Sequence, residues 1–173
     1  MSFATDFWRS VTFLNFDQPI LKQTKRRKNI IYGAQSIKAQ TGFFARPTTD
    51  YDIYSKTPRR DAFEIQRTLD RKSRANQFYA TPSKKHPGTW KVYSKGADHT
   101  ARTRDDVGVA DYTKPKREIK YVTLQGVRYA RLSESVRDKQ AALKDKEFSF
   151  RHEKDREDIE RIRAFQNIRG NKK

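Results

Sequence analysis

The run that most constrains this chain is Ile30 to Tyr54. The apolar segment Ile30-Ile31-Tyr32 halts at Gly33, and Thr49-Asp50-Tyr51-Asp52-Ile53-Tyr54 follows after a polar connection. β-Branched and aromatic side chains suit a pleated, half-buried surface, so strands are predicted over residues 29–32 and 50–55. Side chains alternate along a strand, which puts Asp50 and Asp52 on one face and Tyr51 and Ile53 on the other. Carboxylates among core-forming residues are costly to desolvate unless a positive charge offsets them. A divalent metal is one such offset. Closely spaced oxygen ligands suit Mg²⁺ or Mn²⁺, which commonly combine one or two carboxylates with substrate phosphates. An Asp-x-Asp pair alone describes a solvated strand edge or a turn equally well. Gly33 adds to it, because a strand that ends in Gly and feeds a helix over residues 35–40 offers backbone N–H groups and a helix N-terminus to a phosphate.

The rest of the chain reads as alternating short elements. Residues 7–28 hold Phe7, Trp8, Val11, Phe13, Leu14 and Phe16, helical in part and broken near Pro19, followed by a short helix that ends in Lys25-Arg26-Arg27-Lys28. Thr57-Pro58 opens a helix through about residue 72, with Ala62, Ile65, Gln66 and Leu69 at helical spacing. Strands are expected over residues 77–80 and 89–94, where Tyr79, Trp90, Val92 and Tyr93 supply a sheet face, and residues 95–106 form a polar loop. Two more strands, 107–113 and 118–124, flank Lys114-Pro115-Lys116 as their turn. From Leu132 the period becomes helical: Val136, Lys139, Gln140 and Leu143 share one face, and Ile159, Ile162 and Phe165 form another before Gly170. The expected architecture is one compact α+β domain: a helical segment over 1–28, a mixed sheet flanked by helices over 29–130, and C-terminal helices with a basic tail over 131–173.

Charge narrows the partners. The 39 Lys and Arg against 21 Asp and Glu leave +18, far more than solubility requires, and that excess draws a polyanion. Basic clusters recur at 25–28, Arg59-Arg60, Arg71 to Arg74, Lys84-Lys85, Lys114 to Arg117 and the tail. Any one of them reads as a solvated face, whereas six in one small domain favour a polyanion groove. Nucleic acid is the expected partner, RNA ahead of DNA, without a motif for sequence-specific readout. The absence of cysteine excludes disulfides, thiolate zinc sites and a cysteine nucleophile, and His86, His99 and His152 show no ligand spacing. No apolar run approaches a membrane span and the N-terminus lacks a signal-peptide core, so an intracellular, cytoplasmic or virion-associated protein is expected.

The turn Tyr32-Gly33-Ala34 and the acidic pair Asp50-Tyr51-Asp52-Ile53 together resemble the nucleotidyltransferase superfamily. Its members share a polymerase-β-like core and carry an apolar-Gly-(Gly or Ser) turn followed by Asp-apolar-(Asp or Glu)-apolar. The resemblance implies a third carboxylate on a later strand, and Asp111 within Val107-Gly108-Val109-Ala110-Asp111-Tyr112 supplies it. Further on, Lys154-Asp155-Arg156-Glu157-Asp158-Ile159 is similar to the Lys-Asp-x-x-Asp-(Ile or Leu) helix of AbiEii-type nucleotidyltransferases, and the helix bearing Lys139 to those enzymes' lysine-bearing helix. The resemblance implies that Asp50, Asp52 and Asp111 hold two Mg²⁺ (or Mn²⁺) ions. Gly33, Ala34 and Ser36 then border the triphosphate of an NTP such as ATP, with Lys139 and Lys154 as charge partners. Asp155 and Asp158 read equally as a salt-bridged structural element. The implied reaction moves an NMP from an NTP to an acceptor, RNA of the tRNA kind, and releases pyrophosphate. AbiEii-like relatives include toxins acting on tRNA, and compact basic relatives occur in viruses and mobile elements. Ala34 departs from the usual Gly or Ser, and the connection to Asp50 is long. The alternative reading is a catalytically inactive protein of the same fold that binds nucleic acid, virion-associated in one version.

Overall fold

The structure, a computed structural model, describes residues 16–42 and 49–170. The expected helical character of residues 7–15, Pro47 of the connection before Asp50, and the end of the basic tail lie outside the described residues.

Helix α1 (Asp17–Arg27) leads through a left-handed Lys28 into strand β1 (Ile30–Tyr32). Pro19 does not break α1 as the sequence suggested. It stands in the first turn, where its missing N–H has no intrahelical acceptor to lose. Helix α2 (Gly33–Thr41) starts directly at the end of β1, β2 (Tyr51–Tyr54) follows, and α3 (Pro58–Ser73) opens with Thr57-Pro58 as its sequence predicts. Strands β3 (Phe78–Pro82), β4 (Thr89–Ser94), β5 (Val107–Thr113), β6 (Tyr121–Leu124) and β7 (Val127–Ala130) complete the sheet. Helix α4 (Leu132–Leu143), a 3₁₀ segment (Lys146–Arg151) and α5 (His152–Gly170) close the order.

The seven strands form one mixed sheet in the order β3-β4-β5-β2-β1-β7-β6, consistent with the expected α+β class. β2 lies parallel to β5, β1 parallel to β7, and the other neighbours are antiparallel. This corrects two expectations. Lys114-Pro115-Lys116 is not a hairpin turn, because both edges of β5 are already taken by β4 and β2. The chain instead crosses to the far edge, where β6 pairs with β7. Strand β7 itself was missed. Its signal is the two-residue turn Gln125-Gly126, both at positive φ, which matches the twist of a tight hairpin.

Alternation divides the sheet. Its back face carries Ile31, Tyr51, Ile53, Phe78, Val92, Ala110 and Tyr112, which pack with Ile20 of α1 and Ala62, Ile65 and Leu69 of α3 as the main core. Trp90 belongs to this side, its ring 5.4 Å from that of Phe63, so the four residues expected to share one face divide between two. The front face carries Tyr32, Asp52, Tyr54, Lys91, Tyr93 and Asp111. Helix α2 packs over β1, β2 and β7, and a second apolar cluster of Ile37, Leu132 and Ile162, with Val136 and Phe165, joins it to α4 and α5. The helix on β3, β4 and β5 is α3, on the back.

Candidate active site

Four adjacent strands place a row of polar side chains across the front of the sheet. Lys91 of β4 lies opposite Asp111 of β5, Asp111 opposite Asp52 of β2, and Asp52 opposite Tyr32 of β1. Residues paired in register point to the same face, so this pairing brings together groups that are far apart in sequence. They open into a cleft of about 640 Å³, also lined by Gly33 at the head of α2, Lys85 and His86 from the β3–β4 turn, Ser135 and Lys139 of α4, and Arg151.

Gly33 is required twice. Its φ of +65° is left-handed, and a Cβ there would overlap the Asp52 carboxylate. The glycine therefore lets the start of α2 stand directly against Asp52, with the partial positive charge of a helix N-terminus beside a carboxylate-lined cleft. Tyr32 and Tyr54 stack with ring centroids 3.9 Å apart, and their hydroxyls donate to Thr113 Oγ1 and Asp138 Oδ2. Ser135 is 6 % exposed and its hydroxyl has no hydrogen-bond partner within the described protein.

Electrostatics in the cleft are unfavourable to its acids. Burial, with the charges of Asp50 and Asp111, pushes the Asp52 carboxyl up to about 7, although Arg151 and Lys91 pull it down. Burial likewise raises Asp111, opposed by the 2.6 Å ion pair from Lys91 Nζ and by the charge of His86. Burial works against the Lys91 ammonium, but its bond to Asp111 outweighs that and holds Lys91 above its ordinary value. Two carboxylates facing one cleft, both reluctant to ionise, are a donor set that a hard cation would relieve. The oxygen-only ligands and the glycine cradle at Asp52 fit Mg²⁺ bound by two carboxylates and completed by phosphate oxygens. Among the described residues, however, no three His, Cys, Asp or Glu side chains gather closely enough to hold a metal by themselves.

The sequence-derived residues meet different fates. Asp52, Asp111 and Gly33 share the cleft. Asp50 is not on a strand: it precedes β2, is exposed, and acts on Asp52 and Asp111 through its charge. Ala34 is half-buried in the first turn of α2. Ser36 cannot border a phosphate, because it is fully buried and donates 2.7 Å to the Ala130 carbonyl, which ties α2 to β7. Lys139 reaches the cleft wall, but its ammonium lies 2.8 Å from Asp155 and 2.7 Å from Asp158, both buried, and Arg151 also binds Asp155. Asp155 and Asp158 therefore hold α5 to α4. Lys154 is exposed on α5 and does not line the cleft, where Arg151 stands instead. Lys91, Arg151, Ser135 and Lys85 were not selected from sequence. Lys91 carried a signal, as the one charge inside the strand Thr89-Trp90-Lys91-Val92-Tyr93-Ser94.

The chain superposes on the Megavirus polyadenylate synthase with a TM-score of 0.58 at 15 % identity, covering 74 % of this chain and 26 % of that one. It superposes on JHP933 from Helicobacter pylori with a TM-score of 0.50 at 10 % identity, covering 82 % of this chain and 58 % of that one. The chain thus spans about a quarter of the first protein and rather more than half of the second. No family model and no curated protein matches it in sequence. The likeness is one of fold, and the fold is nucleotidyltransferase-like, as the sequence implied.

Proposed function

We propose that the protein is a metal-dependent nucleotidyltransferase that moves an NMP from an NTP to an acceptor hydroxyl, with RNA as the acceptor class. The observation that carries this reading is the in-register pair of Asp52 and Asp111, facing one cleft beside the Gly33-headed helix. Asp52 and Asp111 would hold Mg²⁺ or Mn²⁺, with Asp50 adding its charge nearby. The bound ion would supply Lewis-acid stabilisation of phosphoryl oxygens. The protein's own groups account for the remaining chemistry. The first turn of α2 from Gly33, with Arg151 and Lys85, receives the negative charge of the triphosphate. The acceptor oxygen attacks the α-phosphorus, the bond from that phosphorus to the α–β bridging oxygen breaks, and pyrophosphate leaves. The acceptor's proton passes to a carboxylate oxygen of the cleft. The Tyr32–Tyr54 stack shapes the floor. Lys139 acts through Asp155 and Asp158, fixing the wall that presents Arg151, rather than as a contact to phosphate.

A second reading has specific support. The Lys91–Asp111 ion pair and the lack, among the described residues, of a preassembled three-carboxylate group, together with the +18 charge, suit a catalytically inactive member of the fold that binds nucleic acid. Both readings meet in one experiment: transfer of label from each α-labelled NTP to tRNA, total RNA and the protein itself, with Mg²⁺ or Mn²⁺, beside Asp52→Asn/Asp111→Asn. Incorporation lost in the double variant supports transfer and identifies the base. No incorporation, with salt-sensitive RNA binding intact in both proteins, selects the inactive binder.

A further inference from the structure

The front of the sheet beside the cleft carries a feature that the transfer reading does not use. Tyr79 of β3 and Tyr93 of β4 lie opposite each other in register and stack with centroids 5.4 Å apart and planes 20° from parallel. Both are half-buried on the face away from Trp90 and Val92. They line a groove of about 550 Å³ that shares Lys85, His86 and Lys91 with the cleft, so the two spaces run into one another at the β3–β4 turn. Lys84, Lys85 and Arg102 are exposed along it. Among the described residues the one acid lining the groove is Asp106, which accepts the Tyr79 hydroxyl and the backbone N–H groups of Arg102 and Thr103 and so fixes the loop after β4 against the strand.

We propose that this groove is the path by which a single-stranded polynucleotide reaches the cleft, its phosphates met by Lys84, Lys85 and Arg102 and its bases stacked against Tyr79 and Tyr93. Paired aromatic faces inside a basic groove are the means by which single strands are held without sequence readout, since every base has a face and every nucleotide a charge. An acidic peptide would answer the charge but not the rings. That the strand is the acceptor rests on the transfer reading, whereas its binding does not.

The test is fluorescence anisotropy of a labelled ten-nucleotide oligouridylate with the full chain, free of NTP and metal, across a salt series. Lys84→Glu/Arg102→Glu is compared with Arg67→Glu/Arg71→Glu, an exposed pair on α3 behind the sheet. The groove pair is expected to weaken binding about tenfold or more and to lower the salt slope by about 2, and the α3 pair to change affinity less than about threefold. Tyr93→Leu, which keeps an apolar side chain, is expected to weaken binding several-fold at high salt, where stacking outlasts charge. Equal losses from both charge pairs, or displacement of the RNA by oligoglutamate as readily as by unlabelled oligouridylate, would overturn the proposal. In transfer assays the groove pair should raise KM for the oligonucleotide and leave KM for the NTP unchanged. Groove-dependent binding without transfer by the wild type would uphold the groove and remove the transfer reading; transfer with both KM values unaltered in the groove pair would do the reverse.

Discussion

Removing the charge of Asp52 should stabilise the metal-free protein. Burial beside Asp50 and Asp111 lifts this carboxyl from 3.8 to about 7. A carboxyl raised on folding binds a proton that the unfolded chain has released, so stability falls as pH rises from about 4 to about 7 and is level above. Three units at about 1.4 kcal/mol each would amount to roughly 4 kcal/mol in a sealed site. Asp52 borders an open cleft where solvent screens part of this, so about 2 kcal/mol is the working figure. Asp52→Asn keeps the shape and removes the charge. Urea unfolding followed by tryptophan fluorescence in chelator should show the variant and wild type nearly equal at pH 4. The difference should then grow to about 2 kcal/mol in the variant's favour by pH 8. Added Mg²⁺ with ATP should reverse the order at pH 8 by stabilising only the wild type. A difference that stays flat from pH 5 to 8, or a variant less stable than wild type at pH 8 without metal, would refute the reasoning.

Three further outcomes are expected. Gly33→Ala places a Cβ in a left-handed residue against the Asp52 carboxylate; it should cost about 1–2 kcal/mol and abolish the rise in Tm produced by Mg²⁺ and ATP, and a full rise would show that the nucleotide does not use this turn. Lys139→Met strips Asp155 and Asp158 of their shared cation and should cost about 3–5 kcal/mol in urea unfolding. Burial opposes the ionised form of Asp155, but hydrogen bonds from Lys139 and Arg151 overcome it and hold Asp155 below its ordinary value. Its contribution is therefore present above the unfolded carboxyl pKa and lost as pH falls through the lower folded one, and the variant should lose stability less steeply in that acid range. Ser135→Ala removes a buried hydroxyl that has no hydrogen-bond partner among the described residues, so its unfolding free energy should equal that of wild type or exceed it by up to about 1 kcal/mol; a loss of more than about 1 kcal/mol in urea unfolding would show that the hydroxyl is paired.

Much of the fold was legible because local rules agreed with it. Thr57-Pro58 starts a helix wherever an amphipathic stripe follows, and Gly33 permits a left-handed turn that most side chains resist. Misreadings arose where one local signal was compatible with two tertiary answers. Pro19 ends a helix in its interior but not in its first turn. Lys114-Pro115-Lys116 makes a turn or a crossover depending on whether β5 has a vacant edge. Ser36 carries a hydroxyl that any acceptor could engage, and the Ala130 carbonyl, on a strand far along the chain, takes it.

The sequence by itself determined most of the element types, the apolar back of the sheet, the basic excess, Asp52 and Asp111 at strand positions and Gly33 at the end of a strand, because period, turn chemistry and charge are properties of short segments. Only the tertiary structure decided that β2 lies beside β5 in the register that sets Asp52 opposite Asp111, that Lys91 neutralises one of them, and that Lys139 serves Asp155 and Asp158. Those outcomes depend on which strands become neighbours, and strand order is fixed by burying apolar faces across the whole domain, a sum that no local stretch of residues contains.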